Sequence, residues 1–238
     1  VTTVSGAILE PMLRADPVGP RITYYDDATG ERIELSAATL ANWAAKSGNL
    51  LREELGAGPG DRVAVLLPAH WQTAAVLFGA WWIGAEVVLE GGAAEVALCT
   101  LDRLEEADAA AGDGEVAVLS LDPFGRPVAD LPIGVTDYAT AVRVHGDQIA
   151  AEPAPGPALS GRSVTDLLAE VQRSATAHHL TGDDRVLSTG SWDSAAELVD
   201  RLLAVLSVGG SLVQVAHPDP QAMSRRQETE KVTRTNIC

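Results

Sequence analysis

The sequence predicts an α/β fold of two abutting subdomains, each a mostly parallel sheet flanked by helices. Three observations carry this prediction. First, Gly58-Pro59-Gly60-Asp61-Arg62-Val63-Ala64-Val65-Leu66-Leu67-Pro68 combines a turn, an apolar run suited to a strand covered on both faces, and a proline exit. A helix and a second strand, Gly84-Ala85-Glu86-Val87-Val88-Leu89, follow it. Second, the pattern returns. Gly60-Asp61-Arg62-Val63, Trp71, Ala74-Ala75 and Gly84-Ala85 correspond to Asp183-Asp184-Arg185-Val186, Trp192, Ala195-Ala196 and Gly209-Gly210. Third, Glu152-Pro153-Ala154-Pro155-Gly156-Pro157 reads as an extended, exposed connector. The expected division is a first subdomain at 1–150, a connector at 151–162, a second, smaller βαβ subdomain at 163–216 and a frayed polar tail at 217–238.

Each element has a local cause. Thr23-Tyr24-Tyr25 and Arg32-Ile33-Glu34-Leu35 flank Asp26-Asp27-Ala28-Thr29-Gly30, a hairpin with a glycine-containing turn. Ser36 is placed to cap a helix from about Ala37 to Leu55. Leu40, Trp43, Ala44, Ser47, Leu50, Leu51 and Leu55 share its inner face, leaving Asn42, Lys46, Asn49 and Glu53 outside. The helix from about Trp71 to Ile83 is apolar nearly all round, as an internal helix should be. Strands are expected near Glu86–Leu89, Val96–Cys99 and Glu115–Leu119, with a polar helix at Leu101–Ala109. Alternation of this kind implies right-handed crossovers and an open sheet. Ser163, with Asp166 three residues on, opens a helix whose Val164, Leu167, Leu168, Val171 and Ala175 face one way. Arg185–Ser188 and Leu212–Val215 read as strands joined by a helix from about Ser194 to Ser207.

Composition narrows the function. The 238 residues are enough to bury a core without metal or disulfide, and the cysteines, Cys99 and Cys238, make no disulfide framework. A net charge of −16 opposes nucleic acid. Trp71 to Leu89 is interrupted by Gln72, Thr73, Gly84 and Glu86, so no membrane span is expected. The first residues carry no export signal, which points to the cytoplasm. Only Lys46 and Lys231 are lysines, so any catalytic lysine must be one of them.

Motif and order together resemble the N-terminal domain of adenylate-forming enzymes, the superfamily of acyl-CoA synthetases, peptide-synthetase adenylation domains and luciferases. The resemblance rests on Gly60-Asp61-Arg62-Val63-Ala64-Val65-Leu66-Leu67-Pro68-Ala69 and on Gly84-Ala85-Glu86-Val87, where the family reads "GDRVAVLLPN" and "GAV". It covers about residues 20–90 well and 157–216 moderately. It implies ATP or AMP, CoA and magnesium as cofactors, but the motifs that would hold them are degenerate.

Where the family has a Ser/Thr/Gly-rich phosphate loop ending in Pro-Lys-Gly, this chain has Pro157-Ala158-Leu159-Ser160-Gly161-Arg162-Ser163-Val164. A phosphate cradle needs glycines for close approach, hydroxyl and amide donors, and a cation. Ser160, Gly161 and Arg162 are what remains; Arg162 either holds a carboxylate or phosphate or is a solvated surface arginine. Where amino-acid-activating members carry Phe-Asp-x-Ser, Trp192 and Asp193 fall on the aromatic and the aspartate. The alternative is that Asp193 or Ser191 caps the next helix.

No counterpart exists for the later adenylate-binding segment, the hinge aspartate or the lysine-bearing C-terminal domain. Neither lysine is expected to replace the latter. The neighbours His178-His179 diverge on a helix and make no metal site; His70 and His217 follow strand ends. The expectation is therefore a degenerate homologue that does not adenylate alone. It would bind an acyl, amino-acid or nucleotide fragment near Ser160, Gly161, Arg162, Trp192 and Asp193, or bind a protein partner or another copy of itself. The alternative is half of a split ligase whose missing parts come from a second chain.

Overall fold

The computed structural model describes residues 2–90 and 92–235; Cys238 lies outside them. In chain order the elements are α1 (Val4–Ala15), β1 (Pro20–Asp26), β2 (Glu31–Ser36), α2 (Ala37–Glu53), β3 (Arg62–Leu66), α3 (Trp71–Trp82), β4 (Glu86–Val88) and β5 (Val96–Cys99). There follow α4 (Leu104–Ala111), β6 (Glu115–Val118), β7 (Val135–Asp137), α5 (Tyr138–Ala141), α6 (Val164–Ala177), β8 (Arg185–Ser188) and α7 (Ala195–Leu198). A π turn at Val199–Leu203 then runs into α8 (Ala204–Ser207), followed by β9 (Ser211–Ala216), α9 (Pro220–Thr229) and β10 (Arg234–Thr235). No helix among the described residues is long and apolar enough to cross a membrane.

The chain forms two compact units. The first, built mainly on residues 41–68 and 72–167, holds a five-stranded sheet in the order β4-β3-β5-β6-β7, parallel throughout. Its central strands β3 and β5 are buried on both faces, which is why they read as continuous apolar runs. Ala107, Ala110 and Ala111 of α4 pack on one face against Ala64, Leu66, Ala97 and Val118. Every residue of α3 is buried, and α3 crosses α2 where Gly79 meets Gly48. A Cβ on Gly79 would stand 2.7 Å from the Gly48 amide nitrogen.

The second unit, built mainly on residues 7–40, 69–71 and from 168 on, holds a sheet in the order β10-β8-β9-β1-β2. Only the β1–β2 hairpin is antiparallel, and β1 runs parallel to β9 with Tyr24 opposite Gln214. The hairpin, expected with residues 1–150, therefore belongs to the sheet of the later βαβ unit. Its neighbour in space, β9, pairs with β1 at a separation of 190 residues, a pairing no local pattern encodes.

Three further expectations are corrected. The proline-rich segment is no free connector: Glu152 and Gly156 donate their amides to the Trp82 and Gly84 carbonyls, and a Cβ on Gly156 would collide with Gly60. The segment is folded back onto the first unit's own turn. The residues after His217 are also ordered, as α9 and the edge strand β10. Arg226 clasps Asp27 at 2.5 Å and lies 4.2 Å over the Tyr25 ring, while Met223 and Val232 cover Leu187, Val213 and Val215. Asn49, expected on the outer face of α2, is buried because its side-chain amide donates to the Gly146 and Gln148 carbonyls. Helix α1, with Pro11 inside it, has no clear sequence signal and was not expected.

Candidate functional site

The segment from Ala158 to Ser163 precedes α6. Ser160 and Gly161 have φ of +46° and +81°, and Arg162 N donates to the Leu159 carbonyl at 3.0 Å. Two successive residues at positive φ closed by this bond make a tight, two-residue turn. Its amides are spent internally. Ser160 N donates to the Val87 carbonyl at 3.0 Å, and Gly161 N donates to the Glu86 carboxylate (Oε1) at 2.5 Å. Glu86 is itself buried at the start of β4. Ser163 caps α6, its Oγ accepting the Asp166 amide at 3.1 Å and donating to the Asp166 carboxylate at 2.7 Å. Arg162 is half-buried.

In the second unit, β8 leads into Thr189-Gly190-Ser191-Trp192-Asp193-Ser194 at the carboxyl end of the sheet. Trp192 is buried, whereas Asp193 is exposed. Neither Asp193 nor Ser191 caps the helix. Ser194 does, in a full capping box with Glu197. Ser191 instead donates its hydroxyl to Glu197 at 3.1 Å. The π turn carries Arg201 back over this loop, where Nη1 donates to the Ser191 carbonyl at 2.9 Å and to Glu197 at 2.7 Å. The guanidinium leaves no room for a side chain on Gly190, whose carbonyl accepts from Gln214 Nε2 at 2.9 Å. The Trp192 Nε1 and Gln214 Oε1 atoms are buried without a hydrogen-bond partner among the described residues.

The structure places the five expected site residues in two groups. Ser160, Gly161 and Arg162 form the turn of the first unit; Trp192 and Asp193 sit on the loop after β8 in the second. Sequence reasoning missed Glu86, Arg201 and Gln214. For Glu86 a signal existed: a charged residue stands where the resemblance calls for valine.

Other reactive groups are held in unreactive settings. Lys46 donates its ammonium to the His145 carbonyl at 2.7 Å. Burial pushes the Cys99 thiol up to about 11, far from a nucleophilic thiolate at neutral pH. His70 is buried edge-on to Tyr24, with ring centroids 4.3 Å apart, and burial lowers its pKa to about 3. The ring is thus neutral, so the 3.9 Å approach of Glu31 is not an ion pair at neutral pH. His217 is exposed and bonds Asp26 at 2.9 Å. The carbonyls of His178 and His179 accept from Arg234.

These elements have known counterparts. A family model described as AMP-binding enzyme matches residues 15–90. A TIGR03089 family protein from Mycobacterium tuberculosis is 72% identical over 237 residues, covering 98% of both chains. The chain belongs to the TIGR03089 family. Its scaffold is that of the adenylate-forming enzymes. An acyl-CoA synthetase from Brucella canis superimposes with a TM-score of 0.79 at 19% identity, over 98% of this chain and 46% of that one. The anthranilate CoA ligase AuaEII, solved in complex with anthranoyl-AMP, gives 0.71 at 16% identity, over 89% and 44%. This TIGR03089 family chain thus spans a little under half the length of those two enzymes.

The fit to a nucleotide is decided at the turn. A triphosphate needs several unspent amides converging on it, with positive charge nearby. The Ser160, Gly161 and Arg162 amides already hold acceptors, one of them a carboxylate. An arriving phosphate would have to displace Glu86 and then face its charge at close range. As built, the turn does not fit the phosphates of ATP.

Proposed function

We propose that this chain does not adenylate by itself. It acts instead as a binding module on an adenylate-forming-enzyme scaffold, for an acyl, amino-acid or nucleotide fragment or for a protein partner, including another copy of itself. The bond from the Gly161 amide to the Glu86 carboxylate carries this proposal, because an internal anion occupies the donor that a phosphate would need. A cytoplasmic setting without nucleic acid or membrane belongs to the same proposal, in keeping with the charge of −16.

Substrate-dependent pyrophosphate exchange, measured on the isolated chain with magnesium-ATP and a panel of carboxylic and amino acids, tests it. We expect no exchange above the enzyme-free background. Robust exchange with any one acid would reverse the conclusion.

One observation favours a second reading, half of a split ligase: the chain spans under half the length of the synthetases it resembles. Co-purification from the native cell separates the two. A stoichiometric partner bearing a lysine-containing adenylation subdomain, with exchange restored on mixing, selects the split enzyme.

A further inference from the structure

We infer that α9 and β10 form one strap that opens as a unit while the rest of the second unit stays folded, baring the apolar face of its sheet and the edge of β8. This latch is separate from the Ser160–Arg162 turn and does not depend on the function proposed above. Leu187, Val213 and Val215 make up the covered face and are at most 1% exposed. From the strap, Met223 and Val232 pack on them, and both are only half-buried. Helix α9 has 10 residues and buries none of them. A helix that short is marginal in water, so α9 stands only while it is docked. Strand β10 adds a ladder of two residues, Arg234 beside Val186 and Thr235 beside Leu187.

Polar ties hold the strap instead. On the α9 side, Arg226 grips both carboxylate oxygens of Asp27, at 3.0 and 2.5 Å, and the Asp219 amide donates to the same carboxylate at 2.7 Å. On the β10 side, Arg234 Nε and the Thr233 hydroxyl donate to Asp184 at 2.8 and 2.9 Å, and the Thr233 amide donates to the Arg185 carbonyl at 2.9 Å. Between them Glu230 accepts from Tyr25, Arg32 and Arg185. Tyr25 couples the two sides: Arg226 lies over its ring, and its hydroxyl donates to Glu230. The side chains of Arg226, Asp27 and Glu230 are 9%, 12% and 5% exposed, so breaking one tie strands a desolvated charge in the next. That makes release all-or-none rather than a stepwise fraying.

The hinge lies between β9 and α9. There His217 holds φ at +46°, a left-handed conformation that is costly for a residue with a Cβ, and Pro218 beside it has no amide to lose. Swinging the strap out relieves that conformation. The helices between β8 and β9 are held differently, because Leu198, Leu202, Leu203, Val205 and Leu206 are fully buried there. A local opening therefore takes the strap and leaves those helices in place.

Native-state hydrogen exchange of the full chain, followed by ¹H–¹⁵N NMR in urea below the unfolding transition, tests this. The Gln227 and Thr233 amides should share one opening equilibrium and exchange about tenfold or more faster than the β9 amides. They should also respond less steeply to urea, because less surface is exposed. Arg226→Gln should speed exchange at both amides by one common factor of about ten or more, with β9 unchanged. Arg234→Gln, at a partly exposed ion pair, should speed both by a smaller common factor, about two to five. Three results would each overturn the inference: the strap amides exchanging together with β9, Arg226→Gln speeding Gln227 but not Thr233, or Arg234→Gln speeding Thr233 but not Gln227. The first is read on the unmutated chain, so it decides even if a variant fails to fold.

Discussion

The two βαβ repeats, β3–α3–β4 and β8–α7–α8–β9, begin and end alike yet differ in between. In each, an aspartate just before the first strand accepts an amide from three residues back at 2.8 Å: Asp61 from Gly58, Asp184 from Thr181. In each, that aspartate's carbonyl receives the amide that opens the second strand, from Glu86 in one and Ser211 in the other. Gly84 and Gly209, at φ +77° and +80°, close the two helices. The shared residues are thus turn-makers.

Between these fixed ends the copies diverge. Trp71 to Gly84 is thirteen residues and Trp192 to Gly209 seventeen. The second helix takes up part of the excess in a π turn, which holds one residue more than an α turn. That turn carries Arg201, which clamps the loop after β8; the first copy instead fills its strand exit with the buried His70. At the opening of the second strand, Ser211 accepts from Arg185, whereas Glu86 reaches the Ser160–Arg162 turn. A scaffold set by turns leaves the strand exits free to vary, and the exits are where the chemistry of such sheets lies.

Substitutions can break this comparison at graded cost. The largest effect is expected at the helix crossing. Gly79→Ala would place a methyl 2.7 Å from the Gly48 nitrogen and 2.8 Å from the Ala44 oxygen, both backbone atoms that cannot swing aside. Urea unfolding should show a loss of about 3 kcal/mol. At the same distance from the closing glycine in the second copy, Ala204→Gly should cost only about 1 kcal/mol, mostly backbone entropy. Equal losses would mean that the two helices are not packed differently.

Next comes the anchoring aspartate. Desolvation raises the Asp184 pKa, but hydrogen bonds from Arg234, Thr181 and Thr233 outweigh it and bring it down to about 2. A depressed carboxyl stabilises the fold above its unfolded value near 3.9, and that gain is lost as pH falls through about 2. Asp184→Asn should therefore cost about 2 kcal/mol at neutral pH and flatten the acid limb between about pH 4 and pH 2. His70 acts at higher pH. It stays neutral in the fold down to about 3, so stability should begin to fall below about pH 6.5, where only the unfolded chain takes up the proton. His70→Phe should remove that earlier loss, as thermal melts between pH 8 and pH 4 would reveal.

A last substitution makes the copies alike. Glu86→Ser, copying Ser211, removes the charge-assisted bond to Gly161 at a cost of about 1.5 kcal/mol, since the exposed Gly161 amide can turn to water. Hydrogen exchange at Gly161 should accelerate while β4 remains protected. Unchanged exchange there would show that Glu86 does not hold the turn.

Much of the fold was legible because its causes are local. Val63 to Leu66 is a buried strand whatever surrounds it, Ser36 and Ser163 cap the helices they precede, and the apolar face Leu167–Val171–Ala175 is buried as its spacing requires. The candidate site was legible only in part. Trp192 and Gly161 could be named from the motif, but their settings could not. The Glu86–Gly161 bond joins residues 75 apart in sequence, and Arg201 reaches the loop after β8 only because a π turn redirects it.

Composition and periodicity by themselves determined the fold class and the repeated βαβ plan, because each is written in neighbouring residues. Tertiary structure alone decided that the N-terminal hairpin joins the second sheet, that the C-terminal residues strap it, and that a carboxylate sits against the Gly161 amide. The physical reason is the same in all three cases. Their energy lies in contacts between segments far apart along the chain, and such contacts leave no period and no spacing in the sequence.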